Sequence, residues 1–342
     1  MDKKIGVLIV NLGTPDAPSR GAVYRYLKQF LLDPRVIDYS WLPRNLLVRG
    51  IIAPFRSGSS AKLYRELWTE NGSPIKTYGE SLAQGVQKIL PENYHVELAM
   101  RYQNPSIESA LEKLRKKYVD EIVVFPLFPQ YASATTGSIH DEVMRVIRGW
   151  QLIPELKLIN SYPTLPEMID VFCRNAHQFE LSAYDHFIFS FHGLPKRQLR
   201  KADVSGKHCQ KRENCCLINC SENKYCYSAQ CHQTSLAIAQ KLNIPSEKFT
   251  ICFQSRLGPD EWAQPYTSEV IRERLEKGEK NLLVFSPAFV ADCLETIIEI
   301  GVEYKEEFDE MGGDKLDLVP SLNEDPDWIK AVAQLISTSS RR

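Results

Sequence analysis

Eight short apolar runs punctuate the chain, each rich in β-branched or aromatic residues and followed by a longer segment with helix-like spacing. The first four are KIGVLIVNLG (4–13), HVELAMRY (95–102), EIVVFPLF (121–128) and LKLINSYP (156–163). The second four are HFIFSFHG (186–193), FTICFQS (249–255), NLLVFSPAF (281–289) and LDLVP (316–320). Continuous apolar strands alternating with helical segments mark parallel sheets covered by helices on both faces. The pattern therefore predicts an α/β protein with two similar doubly wound domains. No internal repeat supports duplication, so the division rests on counting elements. It places an N-terminal domain at 1–163 and a C-terminal domain at 164–320. A final helix within 321–342, DPDWIKAVAQLISTSS, is expected to cross back to the first domain.

Ligands of open α/β sheets bind beyond the carboxyl ends of the strands. That rule singles out Leu12 and Gly13, Arg101 and Tyr102, Gln130 and Tyr131, His192 and Gly193, Gln254 and Ser255, and Phe289. His192 ends the buried-looking run FIFSF and precedes Gly-Leu-Pro; a neutral imidazole there is either an incidental strand-end residue or a proton acceptor. Trp262, in QSRLGPDEWAQPYT, offers a flat aromatic wall.

Two stretches break the amphipathic rule. In FVADCLETIIEIGVEYKEEFDE, Asp292, Glu295, Glu299 and Glu303 recur at offsets of three, four and four residues, which would stack four carboxylates on one helix face. Such like-charge neighbours cost about 0.2–0.5 kcal/mol per pair. Either bulk water surrounds that face, or a cation or a proton route offsets the repulsion. Residues 33–64 mix Trp41, Leu42, Leu46, Leu47, Ile51, Ile52 and Phe55 with Arg44, Arg49, Arg56 and Lys62. They read as a core helix or as an apolar lip with a basic rim, suited to a lipophilic ligand or to shallow membrane contact.

The composition narrows the classes. Over 342 residues, 42 basic and 43 acidic side chains nearly cancel, so no global field favours nucleic acid. Neither a secretory leader nor a run of 18 or so apolar residues is present, which points to a cytoplasmic protein. Neither G-x-G-x-x-G nor a P-loop occurs, so no nucleotide is expected despite the fold class. Six of the nine cysteines fall between 209 and 231: Cys209, Cys215, Cys216, Cys220, Cys226 and Cys231. A four-cysteine zinc site would show Cys-x-x-Cys knuckles, and none is present. The irregular spacing, with adjacent Cys215 and Cys216, suits a two-iron cluster better, leaving zinc and free or redox-sensing thiols as alternatives. Cys173, Cys252 and Cys293 are dispersed and read as small buried hydrophobes.

NLGTPD, GSPIKTY, RYQNPSI, PLFPQYASATTGS, SFHGLP, QSRLGPDEWAQPYT and PAFVADCLETIIEIGVEY together resemble the ferrochelatases, the terminal enzymes of haem synthesis. The resemblance runs from residue 5 to about 335. It implies two Rossmann-like domains with parallel sheets, a porphyrin cleft between them, and insertion of Fe²⁺ into protoporphyrin IX with release of two protons. By the same resemblance His192 is the active-site histidine and Glu295 its facing carboxylate, with Asp292, Glu299 and Glu303 on an acidic path for Fe²⁺ or protons. Leu12, Arg101, Tyr102, Gln254, Ser255, Trp262 and Phe289 match pocket positions. The Cys-rich segment, 207–231, resembles that of relatives with an internal [2Fe–2S] cluster, with Cys209, Cys215, Cys216 and Cys226 as ligands and Cys220 and Cys231 in reserve. Two alternatives stay open: a cobalt or nickel chelatase for another tetrapyrrole, and a non-catalytic haem-binding or cluster-sensing protein. Coproporphyrin as substrate, peripheral contact with the inner membrane, and a monomer or a homodimer are likewise open.

Overall fold

A computed structural model describes residues 3–218, 220–258 and 260–341; Pro259, within the QSRLGPDEWAQPYT string, lies outside the described residues. The chain divides into two compact units. The first unit carries strands β1 (Ile5–Gly13), β2 (Tyr94–Tyr102), β3 (Glu121–Pro126) and β4 (Glu155–Leu158), together with the segment from Asn323 onward. The second comprises Pro129–Ala132 and Ser161–Leu322 and carries β5 (His186–His192), β6 (Phe249–Gln254), β7 (Asn281–Phe285) and β8 (Lys315–Leu318).

Every strand pair is parallel, and the two sheets share one topology, β2-β1-β3-β4 and β6-β5-β7-β8. All eight apolar runs contain a strand, and the central ones are the clearest because a strand buried on both faces must be apolar throughout: Val7, Leu8, Ile9 and Val10 have no exposed surface, nor do Ile188, Phe189 and Phe191. Six strands end earlier than the apolar pattern implies, β3, β4 and β7 among them. β3 stops at Pro126, which has no N–H for the ladder, and β7 stops before the Ser286-Pro287 turn. β4 ends at Leu158, and the chain passes to the second unit at Ser161.

In each sheet the first strand has its sequence neighbours on opposite sides, which creates a switch point beyond the carboxyl ends of β1 and β3 in one unit and of β5 and β7 in the other. β1 closes on Gly13, at φ 120°, where an added Cβ would lie 2.1 Å from the Tyr102 carbonyl oxygen. Only glycine lets the two strand ends approach this closely.

The final helix, Pro326–Arg341, packs in the first unit on helix Pro74–Ile89, with Trp328 fully buried and Ile329 against Gly85. Residues 41–67 form a helix, Trp41–Leu47, a π-helical turn, Val48–Ile52, and a second helix, Ala53–Leu67. The segment is not a buried core helix: Trp41 is 69% exposed and Phe55 78%, with Leu42, Leu46 and Ile51 also exposed. Arg44 departs from the expected basic rim. It is buried, and its Nη1 donates to the carbonyls of Ile37 and Tyr39, at 3.3 and 3.0 Å. Among the described residues no helix is long and apolar enough to cross a membrane.

Candidate active site

His192 is the last residue of β5 and pairs in register with Gln254, the last residue of β6. Its Nδ1 lies 2.7 Å from the Gly193 carbonyl oxygen. A carbonyl can only accept, so Nδ1 carries the hydrogen and the neutral ring keeps its lone pair on Nε2. Gly193 is needed at the turn: a Cβ would meet Gln254 O at 3.0 Å and the Trp262 ring at 3.2 Å. The Trp262 ring centre stands 6.4 Å from that of His192, tilted by 50°. Phe289, half-buried, follows the turn after β7.

The acidic column differs from the expected arrangement. Asp292 precedes the helix, so the four carboxylates do not share one helical face. Its Oδ1 instead accepts from Thr296 Oγ1 at 3.1 Å and from Ser321 N at 3.4 Å. Glu295, Glu299 and Glu303 do share an element, but it is a π-helix, Glu295–Tyr304, whose i→i+5 bonding is rare and concentrates at functional sites. The column runs from half-buried Glu295 and Glu299 to exposed Glu303. Near its start Cys293 is buried, and burial, followed by the adjacent Glu295 carboxylate, holds its thiol well above the usual range.

Glu299 is the best-held of the three. Its Oε2 accepts from Ser255 Oγ at 2.5 Å and Gln254 Nε2 at 3.0 Å, and its Oε1 accepts from Tyr304 OH at 3.3 Å. Burial, then the neighbouring Glu299 charge, pushes the Tyr304 phenol far above its ordinary range, so it stays a donor. Ser255 holds φ 64°, a left-handed conformation costly for a residue with a Cβ. Gln254 is almost fully buried and is a hub: its Oε1 accepts from Ser190 Oγ at 2.7 Å, and its Nε2 also reaches Glu295 O at 3.3 Å. Ser190 continues to Thr267 Oγ1 at 2.8 Å. Gln254 thus ties the strand that presents His192 to the helix that presents the carboxylates.

In the first unit, Tyr102 is fully buried and Arg101 nearly so. The guanidinium lies over the Tyr102 ring at 4.6 Å, and its Nη2 meets Asp33 Oδ2 at 2.7 Å. The same oxygen accepts from Tyr102 OH at 2.9 Å and Ser138 Oγ at 2.5 Å. Leu12, half-buried, takes its main-chain direction from Asn11, whose Oδ1 accepts from Leu12 N at 2.8 Å.

The sequence did not single out Ser190, Tyr304, Asp33 or Ser138. Ser190 had a signal, as the lone polar residue in FIFSF; the others are matched only by distant partners.

None of the six clustered cysteines is in a disulfide. Cys209, Cys215, Cys216 and Cys226 form a chain of contacts: Cys215 Sγ is 4.0 Å from Cys216 Sγ, and Cys226 hydrogen-bonds to both Cys209 and Cys216. The Cys226 bond draws the Cys209 thiol below its ordinary range, while the Cys226 partnership and burial push Cys216 far up. Cys220 turns instead to His208, 3.7 Å from Nδ1, and Cys231 is fully buried. Gln210 N donates to Cys215 Sγ at 3.5 Å, and the Cys216 thiol donates to Ser228 Oγ at 3.2 Å. Among the described residues no three His, Cys, Asp or Glu side chains converge on a point suited to one metal ion. The four thiols instead follow one another as a chain, Cys209 to Cys226 to Cys216 to Cys215. Cys173, Cys252 and Cys293 are buried, as expected of small hydrophobes.

A family model described as Ferrochelatase matches residues 4–340. A ferrochelatase of Coxiella burnetii is 44% identical over 340 residues, covering 99% of this chain and 94% of the relative. One of Legionella pneumophila is 41% identical over 332 residues, covering 97% and 98%. Among solved structures, SirB from Bacillus subtilis with Fe³⁺ superposes with a TM-score of 0.54 at 13% identity, covering 98% of this chain and 95% of SirB. That likeness concerns the fold alone.

Proposed function

Since the chain belongs to the ferrochelatase family, we propose that His192 and Glu295 are the residues through which it works. The activity is insertion of Fe²⁺ into a porphyrin in haem synthesis, a lyase reaction in which two pyrrole N–H protons leave as the metal enters. Family membership favours this over a cobalt or nickel chelatase for another tetrapyrrole and over a non-catalytic sensor. The finer substrate assignment is protoporphyrin IX, whose apolar periphery suits the exposed lip better than coproporphyrin does.

The single observation that carries the site assignment is the Gln254 hub. It fixes in one network the strand end bearing His192 and the helix bearing Glu295 and Glu299. His192 Nε2, with its lone pair free, accepts a pyrrole proton. Glu295, Glu299 and Glu303, with Asp292 before them, offer hard oxygens that hold hydrated Fe²⁺ loosely or carry protons outward. Trp262 and Phe289 supply apolar walls, and binding at the periphery sustains a ring distortion of about 1–5 kcal/mol. Leu12, Arg101 and Tyr102 are assigned to the porphyrin on the family likeness; Tyr102, being buried, would act by holding Arg101. Gln254 and Ser255 would act through Glu299. The test is a carboxylate removal: Glu295→Gln should bind protoporphyrin as the parent does and lose most turnover, whereas near-normal rates would refute its role.

A [2Fe–2S] group on Cys209, Cys215, Cys216 and Cys226 is the second part of the proposal, carried by their mutual contacts and by the Gln210 N–H that donates to Cys215 Sγ. When bound, such a group supplies one-electron chemistry and a cross-link between distant thiols. Anaerobically purified protein should be brown with about two irons per chain; a colourless, zinc-loaded preparation would contradict it. Among partners, we assign the lip to shallow contact with a membrane surface, consistent with a cytoplasmic protein peripheral on the inner membrane.

A further inference from the structure

Helix Tyr227–Lys241 starts directly after Cys226, which occupies its N-cap position. Its first residue, Tyr227, is buried, yet its hydroxyl leaves the helix to donate a 2.9 Å hydrogen bond to the main-chain carbonyl of His192. That carbonyl belongs to the peptide joining His192 to Gly193. The same peptide's N–H, on Gly193, donates to Gln254 O at 2.9 Å. Both ends of this one peptide are therefore fixed, one by β6 and one by Tyr227. The acceptor for His192 Nδ1 is the carbonyl of Gly193, one residue further along. If the Tyr227 hydroxyl were absent, the peptide would be held on one side only, and its rotation would carry the Gly193 carbonyl and the imbalance would reach the imidazole. A phenylalanine would fill the same space, so the hydroxyl itself is the informative feature.

We propose that Tyr227 is a positioning residue for His192, through which the cysteine-rich segment sets the direction of the imidazole. The proposal rests on His192 being the proton acceptor. The route is one peptide bond long: Cys226, whose sulfur contacts Cys209 and Cys216, is covalently next to Tyr227. The first turn of the helix is clamped on another side by Gln230. Its Oε1 accepts from Tyr131 N at 2.6 Å, and its Nε2 donates to Lys224 O at 2.7 Å and Ser161 Oγ at 3.1 Å. A disturbance at Cys226 is thus delivered to Tyr227 more readily than it is absorbed by the helix.

The experiment compares Tyr227→Phe with the parent under anaerobic steady-state conditions. Loss of one hydrogen bond should lower kcat about fivefold, with KM for porphyrin and its fluorescence-monitored binding unchanged. A lower melting temperature with unaltered kcat would show a purely structural role and overturn the proposal. Cys226→Ser, measured alone and combined with Tyr227→Phe, tests the route: losses smaller together than their product support it, and fully multiplicative losses overturn it. His192→Ala run alongside separates the two ideas. If that variant keeps turnover, the assignment of the base fails; if it is inactive while Tyr227→Phe keeps its kcat, only the positioning role fails.

Discussion

Gln254 and Glu299 show how single side chains here serve position before contact. Gln254 uses both ends of its amide, taking the Ser190 hydroxyl and giving to Glu295 O and Glu299. Gln254 and Ser255 were legible as strand-end residues, because they close the apolar run FTICFQS. Their direction into Glu299 was not, because it depends on an element 40 or so residues away. Glu299 receives three donors, so its charge is well compensated in place. Glu299→Gln keeps the size of the side chain and removes the charge. It should melt close to the parent and lose turnover by at least about tenfold; an unchanged rate would remove Glu299 from the path.

At the level of elements, the strands were readable and the special helices were not. A strand buried on both faces announces itself as an unbroken apolar run, as β1 and β5 do, while the edge strands β4 and β8 carry charged residues and are only partly buried. Offsets of three and four residues, by contrast, suit an α-helix or a wider π-helix equally well. The π-helix from Glu295 to Tyr304, and the exclusion of Asp292 from it, therefore required the backbone itself. The lip was legible as an exposed or buried alternative, and Trp41 and Phe55 decide it. Replacing both, Trp41→Ser with Phe55→Ser, should reduce co-flotation with vesicles of mixed zwitterionic and anionic lipid, while solution rates stay near the parent's. Equal flotation would count against membrane contact through this element.

For the whole molecule, acid sensitivity follows from two buried histidines, one per unit. Burial lowers both His140 and His186 to about 4 from an ordinary 6.5. Their folded pKa values lie below the unfolded ones, so the unfolded chain binds more protons between those limits. Stability is then fully present above pH 6.5 and falls as pH drops toward 4. His186 accepts this cost while meeting Thr250 Oγ1 at 2.9 Å. His186→Gln should flatten the decline of melting temperature over that window, and an unchanged slope would contradict the assignment. The two-sheet architecture was legible from element counting, whereas the bond from Tyr227 to His192 spans 35 residues and no local pattern announces it.

The central claim is that the imidazole of His192 takes protons from a porphyrin as ferrous iron enters it. The most direct measurement is anaerobic single-turnover mixing of Fe²⁺ with protoporphyrin already bound to the parent and to His192→Ala, following porphyrin fluorescence and the haem band together. The account predicts rapid metallation by the parent and bound but unmetallated porphyrin in the variant; metallation at comparable rates in both would contradict it.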